Sequence, residues 1–177
     1  MELTDWLIAL HVLSAFAWIA AMAIYSVLVV GLWRTSLPSD VVRLFRVSRV
    51  GDALIAVGMI GTIVFGIWLA LDEYEIWDGW IIAALVLWVA AAAVGGRTGA
   101  TYKVVNDRAR SLVADGQDKP SPEFAALARS QRALALHVAG SLITFTILVV
   151  MVYKPGPRPW SSRFSCTFSA HRSSSAA

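Results

Sequence analysis

Four long apolar runs dominate the chain and constrain its fold more than any other feature. They extend over about residues 6–33, 53–71, 80–96 and 133–153, and the first contains no charged side chain. Each is close to or above the ~20 residues that an α-helix needs to cross ~30 Å of hydrocarbon. Helices are expected, because lipid offers no partner to exposed backbone groups and nothing resembles the strands of a membrane barrel. We therefore predict an all-α membrane protein: a four-transmembrane-helix bundle in residues 1–154 and a disordered C-terminal tail in residues 155–177.

The composition supports this class and argues against two others. Only 15% of the residues are charged, whereas soluble domains contain about 25%. The net charge of +3 does not indicate nucleic-acid binding, because the basic residues lie in the segments between apolar runs. The single cysteine, Cys166, excludes an intramolecular disulfide and a multi-cysteine metal cluster. The predicted partner is therefore the lipid bilayer, with no nucleic acid.

The distribution of Lys and Arg predicts an orientation. Four Arg residues follow the first run and seven Lys or Arg residues follow the third. On the opposite side, all charged residues before the fourth run are acidic. Because cytoplasmic loops are enriched in Lys and Arg, both connections should be cytoplasmic and both termini outside. The tail, which also contains Lys and Arg, disagrees with this orientation. We give it less weight because terminal tails influence orientation less than the first spans do.

Two connecting segments are predicted to be partly helical. Pro38-Ser39-Asp40 is typical of a helix start, and the segment 41–50 alternates apolar residues with Arg. This segment is interpreted either as an interfacial extension of the second helix or as a sensor of anionic lipid. Pro122-Glu123 predicts a short helix that leads into the fourth span.

Two histidines lie inside the predicted spans, where ionisable side chains are costly and mark candidate sites. A neutral imidazole can bind a metal or haem iron, or carry protons. At helical spacing, His11 shares one face of the first helix with Ser14, Ala15, Trp18, Met22 and Tyr25. His137 shares a face of the fourth span with Ser141, Thr144, Leu148 and Met151. For both histidines, the simpler interpretation is a hydrogen bond within the helix packing or to interfacial water.

A haem held by both histidines is disfavoured by their depths. His11 lies six residues beyond Asp5, or about 9 Å below the outer boundary. His137 lies five residues beyond Arg132, or about 7–8 Å above the inner boundary. The two are then ~13 Å apart in a core of ~30 Å, whereas opposite ligands of one metal are about 4 Å apart. A single-histidine metal or haem site at His11 stays open.

Small residues mark further helix faces. Gly58, Gly61, Thr62 and Gly66 share a face of the second helix, and the alanine run 90–93 is followed by Gly95 and Gly96. Close packing against a neighbouring helix is the expected role of both sets, and lining a path is the alternative. No acidic residue lies inside a predicted span, which argues against an ion-coupled transporter that uses a carboxylate.

Motifs at the two ends of the bundle resemble those of a known family. The motifs are Leu10-His11-Val12-Leu13-Ser14-Ala15 with Trp18, and Met151-Val152-Tyr153-Lys154-Pro155. With the four-span plan, they are similar over residues 3–155 to a bacterial family of predicted integral membrane proteins, domain of unknown function 2269. The resemblance implies a bacterial inner membrane.

The histidine of the first helix also resembles that of the copper-resistance D and membrane protoporphyrinogen oxidase types. This similarity implies a haem, porphyrin or copper role for His11. The oxidase type relies on a Lys in a later helix, where the nearest residue in this chain is Arg97, so porphyrin oxidation is not favoured.

Three functions follow from these observations. We favour a non-catalytic or accessory membrane protein that contacts a partner subunit or a second copy of itself, and we assign no catalytic residue. The first alternative is a redox protein that binds haem b or copper through His11. The second alternative is a small permease.

Overall fold

The computed structural model describes residues 3–73 and 77–153, and all regular secondary structure in this part of the chain is helical. The helices are α1 Leu3–Arg34, α2 Pro38–Glu73, α3 Gly79–Ala114, α4 Pro122–Ala128 and α5 Gln131–Tyr153. Four segments are long and apolar enough to cross a membrane, namely α1, α2, α3 and the α4–α5 segment. The predicted four-helix transmembrane bundle is confirmed. The predicted disordered tail, residues 155–177, lies outside the described residues.

Each predicted span lies inside one helix, but α2 and α3 extend well beyond the apolar runs. α2 begins at Pro38, so the Arg-rich segment is a continuous extension of the second helix. α3 continues past Arg97 to Ala114. Hydropathy marks where a helix is apolar, whereas the helix itself continues because Arg, Lys and Ala are also good helix formers.

The connection before α5 contains one break that the sequence interpretation did not anticipate. The predicted short helix is present as α4, but it ends at Ala128, and α5 starts separately at Gln131. The Ser121 hydroxyl accepts a hydrogen bond from the Phe124 amide at 3.3 Å, and the Ser130 hydroxyl accepts one from the Ala133 amide at 3.4 Å. Serine at these positions satisfies amides that have no partner within the helix, so each serine starts a helix of its own.

The membrane-spanning helices pack as two pairs. α1 packs most extensively against α2, and α3 against α5, whereas the contacts between the pairs are fewer. The Thr4 hydroxyl donates to the Asp72 carboxylate at 2.9 Å at one end of α1, and Thr35 donates to Asp40 at 3.2 Å at the other. We call the first pair the α1–α2 hairpin and the boundary between the two pairs the seam.

The α1–α2 hairpin is tight because glycines on α2 face α1. A Cβ atom on Gly58 would lie 2.5 Å from the Trp18 amide nitrogen, and one on Gly61 would overlap the Ser14 hydroxyl. The backbones of the two helices are therefore in direct contact, as small residues allow. The same expectation for Gly95 and Gly96 on α3 was wrong, since a Cβ at either would meet nothing within 4 Å.

The outer surface and the two ends of the bundle differ in chemistry. Every spanning segment exposes large apolar side chains: Leu13 is 66% exposed, Val57 64%, Val86 63% and Phe145 64%. Such a surface suits contact with lipid rather than water. We call the end that carries Asp5, Asp72 and Asp78 the acidic end. The opposite end, with Arg34, Arg43, Arg97 and Arg108, is the basic end.

Candidate functional site

Two clefts lie along the seam, one after the other. The acidic-end cleft has a volume of about 250 Å³, and the basic-end cleft has a volume of about 470 Å³. Both are lined mainly by apolar side chains, and both are partly open rather than enclosed. The acidic-end cleft includes His11, Thr62, Gly66, Trp80, Ala84, Trp88 and Met151. The basic-end cleft includes Trp18, Met22, Tyr25, Met59, Trp88, Ala92, Gly95, Gly96, His137, Gly140 and Thr144.

Three buried polar atoms without a hydrogen-bond partner belong to residues that line the acidic-end cleft. They are His11 Nδ1, Thr62 Oγ1 and Trp88 Nε1, which lack a bonded partner within residues 3–73 and 77–153. The Thr62 backbone is close enough to the His11 imidazole to interact with it, but the geometry is not that of a hydrogen bond to Nδ1. Buried polar groups are normally bonded, and an unpaired one costs about 1–3 kcal/mol. Three at one cleft are consistent with a site for a ligand.

The local sequence explains how these three groups reach one cleft. His11 on α1 faces Gly66 on α2, where an added Cβ would lie 2.9 Å from the imidazole Cε1 atom. Thr62 lies one turn earlier on α2, and Trp88 belongs to α3 on the other side of the seam. Glycine at position 66 leaves room for the imidazole. The looser packing between the helix pairs leaves the cleft that these residues line.

The chemistry of the three groups favours a ligand oxygen. An indole N–H can only donate, a threonine hydroxyl can donate and accept, and a neutral imidazole has one donor and one acceptor nitrogen. A carbonyl oxygen or a hydroxyl group is therefore a chemically suitable partner for any of the three. The tautomer of His11 would follow from the ligand.

In the basic-end cleft, by contrast, Tyr25, His137 and Thr144 have partners within the protein, although the unpaired indole N–H of Trp88 belongs to a residue that lines both clefts. His137 Nε2 lies 3.0 Å from the Ser26 hydroxyl, which itself donates to the Met22 carbonyl at 2.9 Å. The Thr144 hydroxyl donates to the Gly140 carbonyl at 2.9 Å, and Ser141, which is outside the cleft lining, donates to the His137 carbonyl at 3.0 Å. This arrangement fits a packing role for His137.

Residues of the predicted face of α1 are found in the lining of both clefts. His11 lies at the acidic-end cleft, Ser14 packs on Gly61, and Trp18 and Tyr25 line the basic-end cleft. The two histidines thus line different clefts, and Trp88 belongs to the lining of both. The structure does not bring the two histidines to one cleft.

The described residues do not provide the three-residue ligand set of a typical copper centre. Within the described residues, no group of three His, Cys, Asp or Glu side chains could hold a metal ion. In the larger cleft, Nε2 of His137 is already engaged by Ser26.

Two notable residues escaped the sequence interpretation. Trp88 lies near the middle of the third span, away from the interfaces where tryptophan is usual, and this depth could have marked it. Asp52 lies one residue before the predicted second span, and the Tyr25 hydroxyl donates to its carboxylate. Tyr25 also stacks on Tyr102, with ring centroids 6.5 Å apart. An acidic group therefore lies next to a span boundary.

Comparison with known proteins gives a family without a function. No curated protein and no solved structure matches this chain. Residues 5–155, which include all of the candidate site, match the family described as "Predicted integral membrane protein (DUF2269)". The chain therefore belongs to this family of integral membrane proteins.

Proposed function

We propose that the protein is a non-catalytic binding protein for a small, lipid-soluble molecule that carries a hydrogen-bonding oxygen. The observation that supports this proposal most directly is the set of unpaired atoms at the acidic-end cleft, His11 Nδ1, Thr62 Oγ1 and Trp88 Nε1. A bound oxygen would remove the cost of leaving these atoms unpaired. Such a role agrees with an accessory membrane protein.

The surroundings of the three atoms support a neutral, lipid-soluble ligand. Apart from these atoms the cleft lining is mainly apolar. Among the described residues that line it, none is Asp, Glu, Lys or Arg, so a charged ligand would have no counter-ion in a low-dielectric site. Because the cleft is partly open, a molecule dissolved in the bilayer could enter it from the side.

We also propose the membrane in which the protein lies and its orientation there. The protein would lie in a bacterial inner membrane with its basic end in the cytoplasm and both termini outside. The support is the concentration of Lys and Arg in the two connections at the basic end. A second copy or a partner subunit would contact the exposed apolar surface.

The test is to identify and count the molecule that co-purifies with the protein. The chain is purified in mild detergent from bacterial membranes, analysed by native mass spectrometry, and extracted with organic solvent. We expect a neutral molecule with a carbonyl or hydroxyl group at about one per chain. Thr62→Val removes one hydroxyl at nearly constant size, and Trp88→Phe removes the indole N–H. Each should weaken the affinity for this molecule about 3–10-fold and so lower its occupancy, since one hydrogen bond contributes about 0.5–1.5 kcal/mol.

Thr146→Val is the matched control. The Thr146 hydroxyl already donates to the Leu142 carbonyl and Thr146 lines neither cleft, so its loss should leave ligand occupancy unchanged. Equal occupancy in the Thr62→Val, Trp88→Phe and Thr146→Val proteins would contradict the proposal. So would a wild-type protein that carries no such molecule from any membrane extract.

A further inference from the structure

The two clefts follow one another along the seam and share Trp88, and we treat them as two stretches of one groove. On α3 the lining residues continue without a gap from Trp80 through Trp88 to Gly99. On α5 they continue from His137 through Thr144 to Met151. The stretch 80–99 of α3 is about 28 Å long at 1.5 Å per residue, which is close to the thickness of the hydrocarbon core. Trp88 contributes to both linings and marks the boundary between them.

The two stretches differ in what they offer a ligand. The unpaired His11 Nδ1 and Thr62 Oγ1 atoms belong to the acidic-end cleft alone, and the unpaired Trp88 Nε1 belongs to the residue that the two clefts share. In the basic-end cleft, His137 Nε2 and the Thr144 hydroxyl are paired within the protein. The basic-end cleft is the larger of the two, and open space lies in front of Gly95, Gly96 and Gly99. One end of the groove is therefore suited to a polar group, and the rest to hydrocarbon.

We infer that the ligand is a single-tailed amphiphile whose oxygen-bearing head lies in the acidic-end cleft and whose hydrocarbon tail passes Trp88 into the basic-end cleft. This inference rests on the proposed function and names the class of molecule that the site takes. The head supplies the affinity, because lipid is as apolar as the groove and a tail gains little by leaving it. The length and shape of the groove select the tail through packing.

The Nε2 atom of His137 is bonded to Ser26 and is therefore not available to the tail. The lining of the basic-end cleft also contains no Asp, Glu, Lys or Arg among the described residues. A second polar group at the far end of the ligand would lose its own hydrogen bonds there, so the tail is purely hydrocarbon.

Photo-crosslinking with two probes tests the inference. The full chain is reconstituted in phosphatidylcholine vesicles with a long-chain or a short-chain primary alcohol, each with a diazirine at the end of its tail. After irradiation, mass spectrometry assigns the label to single residues. The long-chain probe should label the basic-end cleft, within 91–99 of α3 and 136–144 of α5. The short-chain probe should label the acidic-end cleft, within 80–88 and 147–152.

A pair of neighbouring alanines provides a matched control. Ala92 lines the basic-end cleft, whereas Ala93 is exposed and lines neither cleft. Ala92→Leu should abolish labelling of the basic-end cleft by the long-chain probe and leave labelling by the short-chain probe unchanged. Ala93→Leu should change neither pattern.

Each possible result has a distinct meaning. If the long-chain probe labels lipid-facing residues such as Val89 and Phe145, while the short-chain probe still labels the acidic-end cleft, the inference about the tail is overturned and the head site stands. If the short-chain probe also labels only lipid-facing residues, the head site fails, and the proposed function fails with it.

Discussion

Substitution of Gly58 by alanine tests how the α1–α2 hairpin is held together. The three atoms nearest to an added Cβ are the Trp18 amide nitrogen at 2.5 Å, the Trp18 Cα at 2.8 Å and the Ser14 carbonyl oxygen at 2.9 Å. All belong to the backbone, so no side chain can rotate away. The first distance is ~0.9 Å below the 3.4 Å at which ordinary contact begins, so the helices must separate. Overpacking of this kind costs about 1–3 kcal/mol.

Gly95→Ala is the control that isolates the destabilisation caused by this backbone contact. It lies inside a spanning helix, as Gly58 does, but its Cβ would meet nothing within 4 Å. Both substitutions gain about 0.8–1.0 kcal/mol of helix propensity, so that gain cancels in the comparison. In mixed micelles titrated with a denaturing detergent and followed by circular dichroism, Gly58→Ala should be about 1–3 kcal/mol less stable than Gly95→Ala. Equal stability of the two variants would refute the direct backbone contact.

Three further predictions concern the basic end, the orientation and the cofactor. Tyr25→Phe removes the hydroxyl that donates to Asp52 and should lower the free energy of unfolding by about 0.5–1.5 kcal/mol. Adding Asp52→Asn to this variant should lower the free energy of unfolding little further. If the losses of the two single variants add up in the double variant, the pairing is contradicted. In intact cells, Cys166 should react with a membrane-impermeant thiol reagent from outside; reaction only in inside-out vesicles would reverse the orientation. After expression with haem and copper available, the purified protein should show no visible absorption band and no bound copper. A Soret band or stoichiometric copper that disappears in His11→Ala would restore the redox hypothesis.

The number and nature of the spans could be predicted because they depend on a property that each segment carries by itself. Runs such as 6–33 and 133–153 are long and apolar, and a helix in lipid needs little else. The same property could not locate the helix ends. α2 starts at Pro38 and α3 ends at Ala114, outside the apolar runs, because water-exposed helical turns carry charge without losing helical structure.

The candidate site was only half predictable, for a physical reason. His11 stood out because ionisable side chains inside a span are rare. Thr62 was noted only as a small residue on a packing face of the second helix, so its unpaired hydroxyl was not predicted. Trp88 did not stand out because its role depends on how the α1–α2 hairpin meets α3 and α5. That meeting is loose, and the contacts that set it are spread along the whole seam. The separation between a free His11 and a paired His137 likewise depends on Ser26, whose distance in sequence from His137 is 111 residues.

The most direct test of the central claim is an experimental structure of the full chain with the molecule that co-purifies from the membrane. We predict that an oxygen of this molecule lies within about 3.2 Å of at least two of the three atoms His11 Nδ1, Thr62 Oγ1 and Trp88 Nε1. Its hydrocarbon tail should continue past Trp88. A structure in which these three atoms bond to one another or to water alone, with the molecule bound elsewhere, would contradict the account.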